Sequence, residues 1–334
     1  MNQPLALAFR PRTLDQMIGA AAMTKKIRGR MQSGREPAAW MFSGLTGSGK
    51  TTAMRIIALS LQCRHQEVFG NPCDVCYEKR KKFDITEINA SDVTKKDDFQ
   101  ALLGDQMNYS PFPGSRRKVI ILDELHRASD AAQNYLLKPF EDCPQTTVWM
   151  VGTTAAYKIL ETLRRRCASY VVPPLDLDAT RALVKKAMKI VGSTRDPDDL
   201  VDALLENGIF SPGLILNAVE KYLEDKTGSA EDAIKGDGVS EVDVRALNRE
   251  IFRGSWRGAS KWLQNCNAKD AQQIRYKLAN YFRQILLDDV EFSDRNDELA
   301  EAIKTLVGMQ YIGDESQVAG ICAVAYQIAK KFKK

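Results

Sequence analysis

Gly44-Leu45-Thr46-Gly47-Ser48-Gly49-Lys50-Thr51 constrains this chain more than any other segment. A glycine-rich loop of that form is credible only when a strand leads into it and a helix leads out. Both flanks are present: the apolar run Ala38-Ala39-Trp40-Met41-Phe42 precedes it, and the helical pattern Thr52-Ala53-Met54-Arg55-Ile56-Ile57-Ala58-Leu59 follows. The glycines let backbone N–H groups turn inward around a polyphosphate, and the helix N-terminus favours the same negative charge. Gly44, Thr46, Gly47, Ser48, Gly49, Lys50, Thr51 and Thr52 are therefore expected to line a nucleotide. Lys50 is placed to reach the β- and γ-phosphates, and the Thr51 hydroxyl to coordinate Mg²⁺. The bland alternative is a glycine-rich turn that binds nothing.

The matching half of such a site is Lys118-Val119-Ile120-Ile121-Leu122-Asp123-Glu124. A continuous Val/Ile/Leu run suits a parallel strand covered on both faces, and ligands gather at the carboxyl ends of such strands. Asp123 is expected to hold Mg²⁺, and Glu124 to polarise the water that attacks the γ-phosphate. Taken alone, an apolar run ending in Asp-Glu could be no more than a strand end. Paired with the phosphate loop, it implies binding and hydrolysis of a nucleoside triphosphate.

Composition narrows the class further. The 334 residues suffice for two or three domains, and a hydrophobic share of 44% with 27% charged residues is ordinary for a soluble protein. No apolar stretch approaches the roughly 18 residues of a transmembrane helix, and Met1-Asn2-Gln3-Pro4-Leu5-Ala6 lacks the order of a secretory signal. The expectation is a cytoplasmic protein, of a cell or of an infected host, with no membrane partner. A net charge of +5 names no nucleic-acid partner. Basic clusters do occur, at Lys79-Arg80-Lys81-Lys82, Arg116-Arg117-Lys118, Arg164-Arg165-Arg166 and Lys330-Lys331-Phe332-Lys333-Lys334, the last read as a solvated tail.

Seven cysteines, an odd number, argue against a disulfide framework. Cys63, Cys73 and Cys76 have the spacing of part of a zinc site. Lys79 stands where a further cysteine would continue the pattern, leaving His65 and Asp74 as candidate fourth ligands. The alternatives are a zinc module that has lost a ligand, or three unligated thiols.

Along the chain, Trp40–Ser43, Asp84–Asn89, Val119–Leu122, Thr147–Gly152 and Ser169–Val172 read as strands. All but the last precede helical periodicity, which predicts an α/β domain over 1–174 with a parallel sheet. Pro173-Pro174 breaks the pattern. Residues 175–226 predict a small helical domain, 227–238 a polar, glycine-bearing linker, and 239–334 an all-helical domain. In the last, Leu278, Tyr281, Phe282, Ile285 and Leu286 form a face for helix packing or assembly.

This order resembles the clamp-loader branch of the AAA+ ATPases, both the bacterial gamma/tau type and the small-subunit type of replication factor C. Several segments carry the resemblance over residues 5 to about 225. Ala8-Phe9-Arg10-Pro11-Arg12-Thr13-Leu14-Asp15 is similar to the family's N-terminal segment near the adenine, which implicates Arg10 and Pro11 in nucleotide binding. Glu87-Ile88-Asn89-Ala90-Ser91-Asp92 is similar to an element of replication factor C. Asn134-Tyr135-Leu136-Leu137-Lys138-Pro139-Phe140-Glu141-Asp142-Cys143-Pro144 follows Asp123-Glu124-Leu125-His126 as in the family. Thr154 falls where the sensor-1 residue belongs, and the cysteine segment resembles the zinc module of gamma/tau subunits.

The resemblance implies an AAA+ P-loop domain, a helical lid and a C-terminal all-α collar. It also implies ATP, Mg²⁺ and Zn²⁺ as cofactors. The implied partners are other loader subunits in a pentamer holding several copies of this chain, a sliding clamp, and primer–template DNA. Arg166 in Leu163-Arg164-Arg165-Arg166-Cys167 matches the arginine finger acting in trans, although Arg165 replaces the family's serine. The lid segment Ser211-Pro212-Gly213-Leu214-Ile215-Leu216-Asn217-Ala218-Val219-Glu220 has no arginine at the sensor-2 position. Thr94, Lys95 and Lys96 open a helix in the region that tracks DNA, where a helix start with Thr and Lys suits phosphate contact; an exposed polar helix start is the plain reading. The loop Asn108-Tyr109-Ser110-Pro111-Phe112-Pro113-Gly114 is either a clamp-facing segment or a packed connector. The competing reading is another DNA-dependent AAA+ ATPase, a branch-migration motor or an initiator; a non-hydrolysing structural subunit is disfavoured by Lys50, Thr51, Asp123 and Glu124.

Overall fold

The computed structural model describes residues 3–80, 83–104, 110–193, 195–207, 209–224, 228–234, 244–266, 271–288, 294–309 and 314–332. Lys81, Lys82, Asn108, Tyr109, Lys226, Thr227, Lys333 and Lys334, with 235–243, lie outside them. Five strands form one parallel sheet: β1 Ala39–Ser43, β2 Ile85–Asn89, β3 Lys118–Asp123, β4 Thr147–Thr153 and β5 Ala168–Val171, in the order β2-β3-β4-β1-β5. All five strands expected from the sequence are present. The central strands are those whose runs are continuously apolar: β4 is buried throughout and β3 up to Asp123, whereas the edge strands β2 and β5 are only partly buried. That contrast follows from covering a parallel sheet on both faces.

The strand period of two sorts side chains onto those faces. Trp40, Phe42, Val119, Ile121, Val148 and Met150 pack on one side against Met23 and Ile27 of α2 (Ala21–Gln32) and Ala53, Ile56 and Ile57 of α3 (Lys50–Gln62). Before α2 comes α1 (Leu5–Ala8), and after α3 a short α4 (Asp74–Glu78). On the opposite face Met41, Ile120, Leu122, Trp149 and Val151 meet Phe99 and Leu103 of α5 (Lys96–Leu103), Leu136 and Phe140 of α6 (Asp130–Glu141), and Leu163 of α7 (Glu161–Arg164). Each fully buried Ile or Phe contributes about 1.5–3 kcal/mol, so the two layers fix the sheet to within a residue. A one-residue slip would turn Trp40 and Phe42 onto the wrong face.

The remaining helices are α8 Leu177–Val191, α9 Pro197–Glu206, α10 Pro212–Glu224, α11 Ala230–Ile234, α12 Arg245–Phe252, α13 Trp256–Gln264, α14 Ala271–Asp288, α15 Asp294–Gly308 and α16 Asp314–Phe332. The chain divides into two compact units, Met1–Ala187 with Ser211–Asn217, and Met188–Phe210 with Ala218–Lys334. The second is all-helical. Its core is built from Leu247, Ile251, Leu278, Phe282, Leu299, Leu306, Ile321 and Ile328. Tyr281 keeps its ring edge on Phe252 while remaining partly exposed. Arg195 stacks on Tyr222, with its guanidinium carbon 3.5 Å from the ring centroid, and donates to the carbonyls of Tyr222 and Gly228. A short helix, α11, interrupts the stretch expected to be a linker. Ser229 caps it, accepting from Asp232 N at 3.1 Å, and Ala233 and Ile234 are buried. The architecture is an AAA+-like fold: a parallel α/β core, lid-like helices and an all-α C-terminal region.

Candidate nucleotide site and cysteine–histidine cluster

Parallel pairing brings the carboxyl ends of β1, β4 and β3 to one edge, so Ser43, Thr153 and Asp123 end side by side. The phosphate loop leaves β1 there, and Gly44 N donates to Thr153 O at 3.3 Å. Gly47 (φ 73°) and Gly49 (φ 99°) take left-handed conformations that glycine adopts at little cost, and α3 starts at Lys50. Lys50 is 4% exposed; its Nζ donates to Gly44 O and Leu45 O at 3.3 and 3.0 Å and lies 4.0 Å from Glu124 Oε1. Burial pulls its ammonium below the ordinary lysine range, against the opposing pull of Glu124 and Asp123.

Thr51 Oγ1 donates to Asp123 Oδ2 at 2.5 Å, so the two expected Mg²⁺ ligands, from different elements, meet directly. The other carboxylate oxygen, Oδ1, accepts from Glu124 N at 2.9 Å. Gly152 on β4 faces that oxygen, and a Cβ there would collide with it. Glu124 itself has φ 52°, the one left-handed non-glycine backbone among the described residues. Its Oε2 lies 3.4 Å from Thr154 Oγ1 and 3.3 Å from His126 Nδ1. Burial pulls the His126 imidazole below the ordinary histidine value, against the raising effect of Glu124.

The residues present suit a nucleoside triphosphate with Mg²⁺. Two buried hydroxyls at the loop, Ser48 Oγ and Ser211 Oγ, have no hydrogen-bond partner among the described residues. Such groups cost about 1–3 kcal/mol each when unsatisfied, and acceptor oxygens of a phosphate would relieve them. Ser211 sits just before α10, whose Gly213 N donates to Gly47 O at 3.0 Å. A Cβ on Gly213 would lie 3.2 Å from both Gly47 Cα and Gly47 O. The helix that lacks a sensor-2 arginine thus meets the loop backbone to backbone.

A second cluster lies beyond α3. Cys63 Sγ is 3.7 Å from Cys73 Sγ, and His65 Nδ1 is 3.8 Å from both Cys73 Sγ and Cys76 Sγ. All four ligand atoms lie within 4.8 Å of one another. Tetrahedral zinc with Zn–S near 2.3 Å separates its sulfurs by about 3.8 Å, so the four atoms have the spacing of a zinc set. Burial and the adjacent Cys73 and Cys63 thiols push Cys76 up to about 12. His65 is the fourth member; Asp74 is not part of the cluster.

Comparison with known proteins assigns the family. A family model described as DNA polymerase III, delta subunit, matches residues 19–176. The DNA polymerase III subunit gamma of Buchnera aphidicola is 32% identical over 226 residues, 61% of this chain and 60% of that protein. Subunit tau of Escherichia coli is 30% identical over 252 residues, 74% of this chain and 36% of that protein. The chain belongs to the DNA polymerase III gamma/tau family. It spans 60% or less of the length of these two relatives. A variant of Thermotoga maritima RuvB superposes with a TM-score of 0.53 at 17% identity, covering 83% of this chain and 91% of that one, a likeness of fold alone.

Within this gamma/tau chain, the structure brings Gly44, Gly47, Ser48, Gly49, Lys50, Thr51, Asp123, Glu124 and Thr154 to one sheet edge. Thr46 is exposed and Thr52 half-buried on the first turn of α3. Arg10 is exposed after α1 and Pro11 is half-buried; the N-terminal residue that reaches the loop is Met17, whose Cε lies 3.3 Å from where a Gly49 Cβ would stand. Arg166 lies outside that group of contacts, pairing with Glu141 and donating to Thr162 O at 2.6 Å. Thr94 and Lys95 precede α5, which Lys96 opens, with Lys95 N donating to Asp98 Oδ2 at 3.2 Å. Phe112 is 61% exposed. Sequence patterns did not point to Met17, His126, Gly152 or Gly213, because their roles depend on which strands and helices become neighbours.

Proposed function

We propose that this chain is the ATP-hydrolysing subunit of a sliding-clamp loader in DNA replication. The observation that carries the reading is one sheet edge holding Lys50, Thr51, Asp123, Glu124 and Thr154 together, in a chain of the gamma/tau family. Lys50 and the loop N–H groups would bind the β- and γ-phosphates, with Arg10 and Pro11 toward the adenine. Thr51 and Asp123 would hold Mg²⁺, which when bound neutralises phosphate charge. Glu124 orients and polarises the attacking water, Thr154 positions it against the γ-phosphate, and Arg166 of an adjacent subunit stabilises the charge that develops. Cys63, His65, Cys73 and Cys76 would hold a structural Zn²⁺.

In this reading, copies of the chain join other loader subunits in a pentamer, the 239–334 region forming the collar and 175–226 the lid. ATP binding opens the clamp and admits primer–template DNA, which Thr94, Lys95 and Lys96 help to track by its phosphates. Hydrolysis releases the loaded clamp. The deciding experiment is steady-state ATP turnover by the assembled subunits, with clamp, primer–template DNA, both, or neither. Turnover is expected to rise strongly only when both are present. Stimulation by DNA alone, indifferent to the clamp, would instead favour a motor of the kind the fold also serves.

A further inference from the structure

One imidazole gathers the polar groups at the carboxyl ends of β3 and β4. His126 lies on a single tight turn, Leu125–Arg127, that follows directly on the left-handed Glu124. Its Nδ1 is 3.3 Å from Glu124 Oε2 and 3.2 Å from Thr153 Oγ1, and its Nε2 is 3.3 Å from Thr154 Oγ1. Thr154 Oγ1 is also 3.4 Å from Glu124 Oε2. An ionised carboxylate only accepts, so the neutral tautomer that suits Glu124 at 3.3 Å carries its hydrogen on Nδ1. Thr153 Oγ1 already accepts from Ala155 N at 3.0 Å and shares the same side of the ring. Nε2 is then a bare acceptor, and the hydroxyl facing it belongs to Thr154. That hydroxyl has one proton, which goes either to Nε2 or to the Glu124 carboxylate.

We propose that His126 is a positioning residue for ATP hydrolysis: its Nδ1–H anchors the Glu124 carboxylate, and its Nε2 draws the Thr154 proton away from that carboxylate. The carboxylate is left with a free lone pair for the attacking water. The left-handed backbone at Glu124 gives the tether a reason to exist, because such a conformation persists only where surrounding contacts over-determine it. Without His126 the Glu124 side chain would keep only Lys50, at 4.0 Å, and the Thr154 hydroxyl, at 3.4 Å. The inference rests on the reading of Glu124 as the water-activating group.

The test uses the full chain assembled with its partner subunits, clamp and primer–template DNA. Turnover number, KM and equilibrium affinity for a fluorescent ATP analogue are measured for His126→Ala, His126→Asn and His126→Gln, beside Glu124→Gln. An Asn amide nitrogen can reach the place of Nδ1, whereas a Gln amide reaches that of Nε2. The expected result is a kcat about 10- to 100-fold lower for the Ala variant, short of the roughly 100- to 10,000-fold lost with a general base itself. Nucleotide affinity should stay within about twofold. His126→Asn should recover most of kcat and His126→Gln should not. If the Ala variant melts early, the Asn–Gln comparison decides the matter. Wild-type kcat in all three variants, or equal losses in all three matched by lost nucleotide affinity, overturns the positioning role. Unchanged turnover in Glu124→Gln would sink the reading beneath it; abolished turnover there with normal His126 variants sinks the positioning role only.

Discussion

The hydrogen in place of a side chain at residue 152 sets where Asp123 points. Gly152 lies beside Asp123 Oδ1 and Met54 Cε, and any Cβ there must displace one or both. The methionine end can swing aside, but the carboxylate is held from two directions by Thr51 Oγ1 and Glu124 N. Gly152→Ala should therefore push Asp123 off line while leaving the buried strand intact. We expect turnover to fall on the order of 100-fold, the scale of losing one preorganised electrostatic partner. A titration of Mg²⁺ should show the half-saturating concentration rising in parallel; an unchanged Mg²⁺ requirement would mean that Met54 absorbs the whole displacement. The sequence made Asp123, Glu124 and Lys50 legible because their spacing from an apolar run carries the chemistry. It could not reveal Gly152 or His126, because nothing local marks which strand lies beside β3.

Among elements, the cysteine loop and the N-terminal segment form a clasp. Leu14 N donates to Gly70 O at 2.8 Å, Arg28 joins Asp15 Oδ1 at 2.8 Å and Phe69 O at 2.9 Å, and Asn71 Nδ2 donates to Asp15 Oδ2 at 2.7 Å. Hydrogen bonds from Arg28 and Asn71 hold the Asp15 carboxyl below the usual range. Arg12 lies over the Tyr77 ring of α4, with its guanidinium carbon 4.7 Å from the centroid. The far end of this segment is Met17, against the phosphate loop. Removing metal from Cys63, His65, Cys73 and Cys76 should thus loosen residues 12–17. Treatment with a strong zinc chelator is expected to speed proteolysis after Arg12 and to weaken nucleotide binding up to tenfold, equivalent to about 1.4 kcal/mol. Unaltered cleavage and affinity after verified metal loss would make the clasp independent of the ion. Three of the four clustered side chains were legible from spacing. His65 could not be separated from Asp74 until the loop's path was known, since one residue follows Cys63 closely and the other lies inside the cysteine pair. The helix α11 escaped notice for a related reason: its capping serine, Ser229, sits in a glycine-bearing polar stretch that reads as connector.

For the whole molecule, the five strands and the parallel sheet covered on both faces were legible because apolar runs alternating with helical periodicity report them directly; the order of the strands was not. How chains meet in an assembly is implied by resemblance alone. Glu141→Ala and Arg166→Ala separate the roles at the proposed subunit contact. Losing Arg166 should cut turnover of the assembled complex about 10³-fold, the lower end for an arginine finger, with nucleotide affinity of the lone chain unchanged. Losing Glu141 should leave turnover of the complex intact. Equal loss from both substitutions, measured at saturating subunit concentration, would make the pair structural. The ion pair with Glu141 is half-exposed, and such pairs hold by about 0–1 kcal/mol. Joining a neighbour is on this view an exchange reaction: the arginine leaves one anion for another, so its charge is never stranded. A solitary chain balances the Arg166 charge with its own Glu141. In the proposed role, Arg166 becomes a cation on offer only where a bound nucleotide outcompetes the chain's own acid.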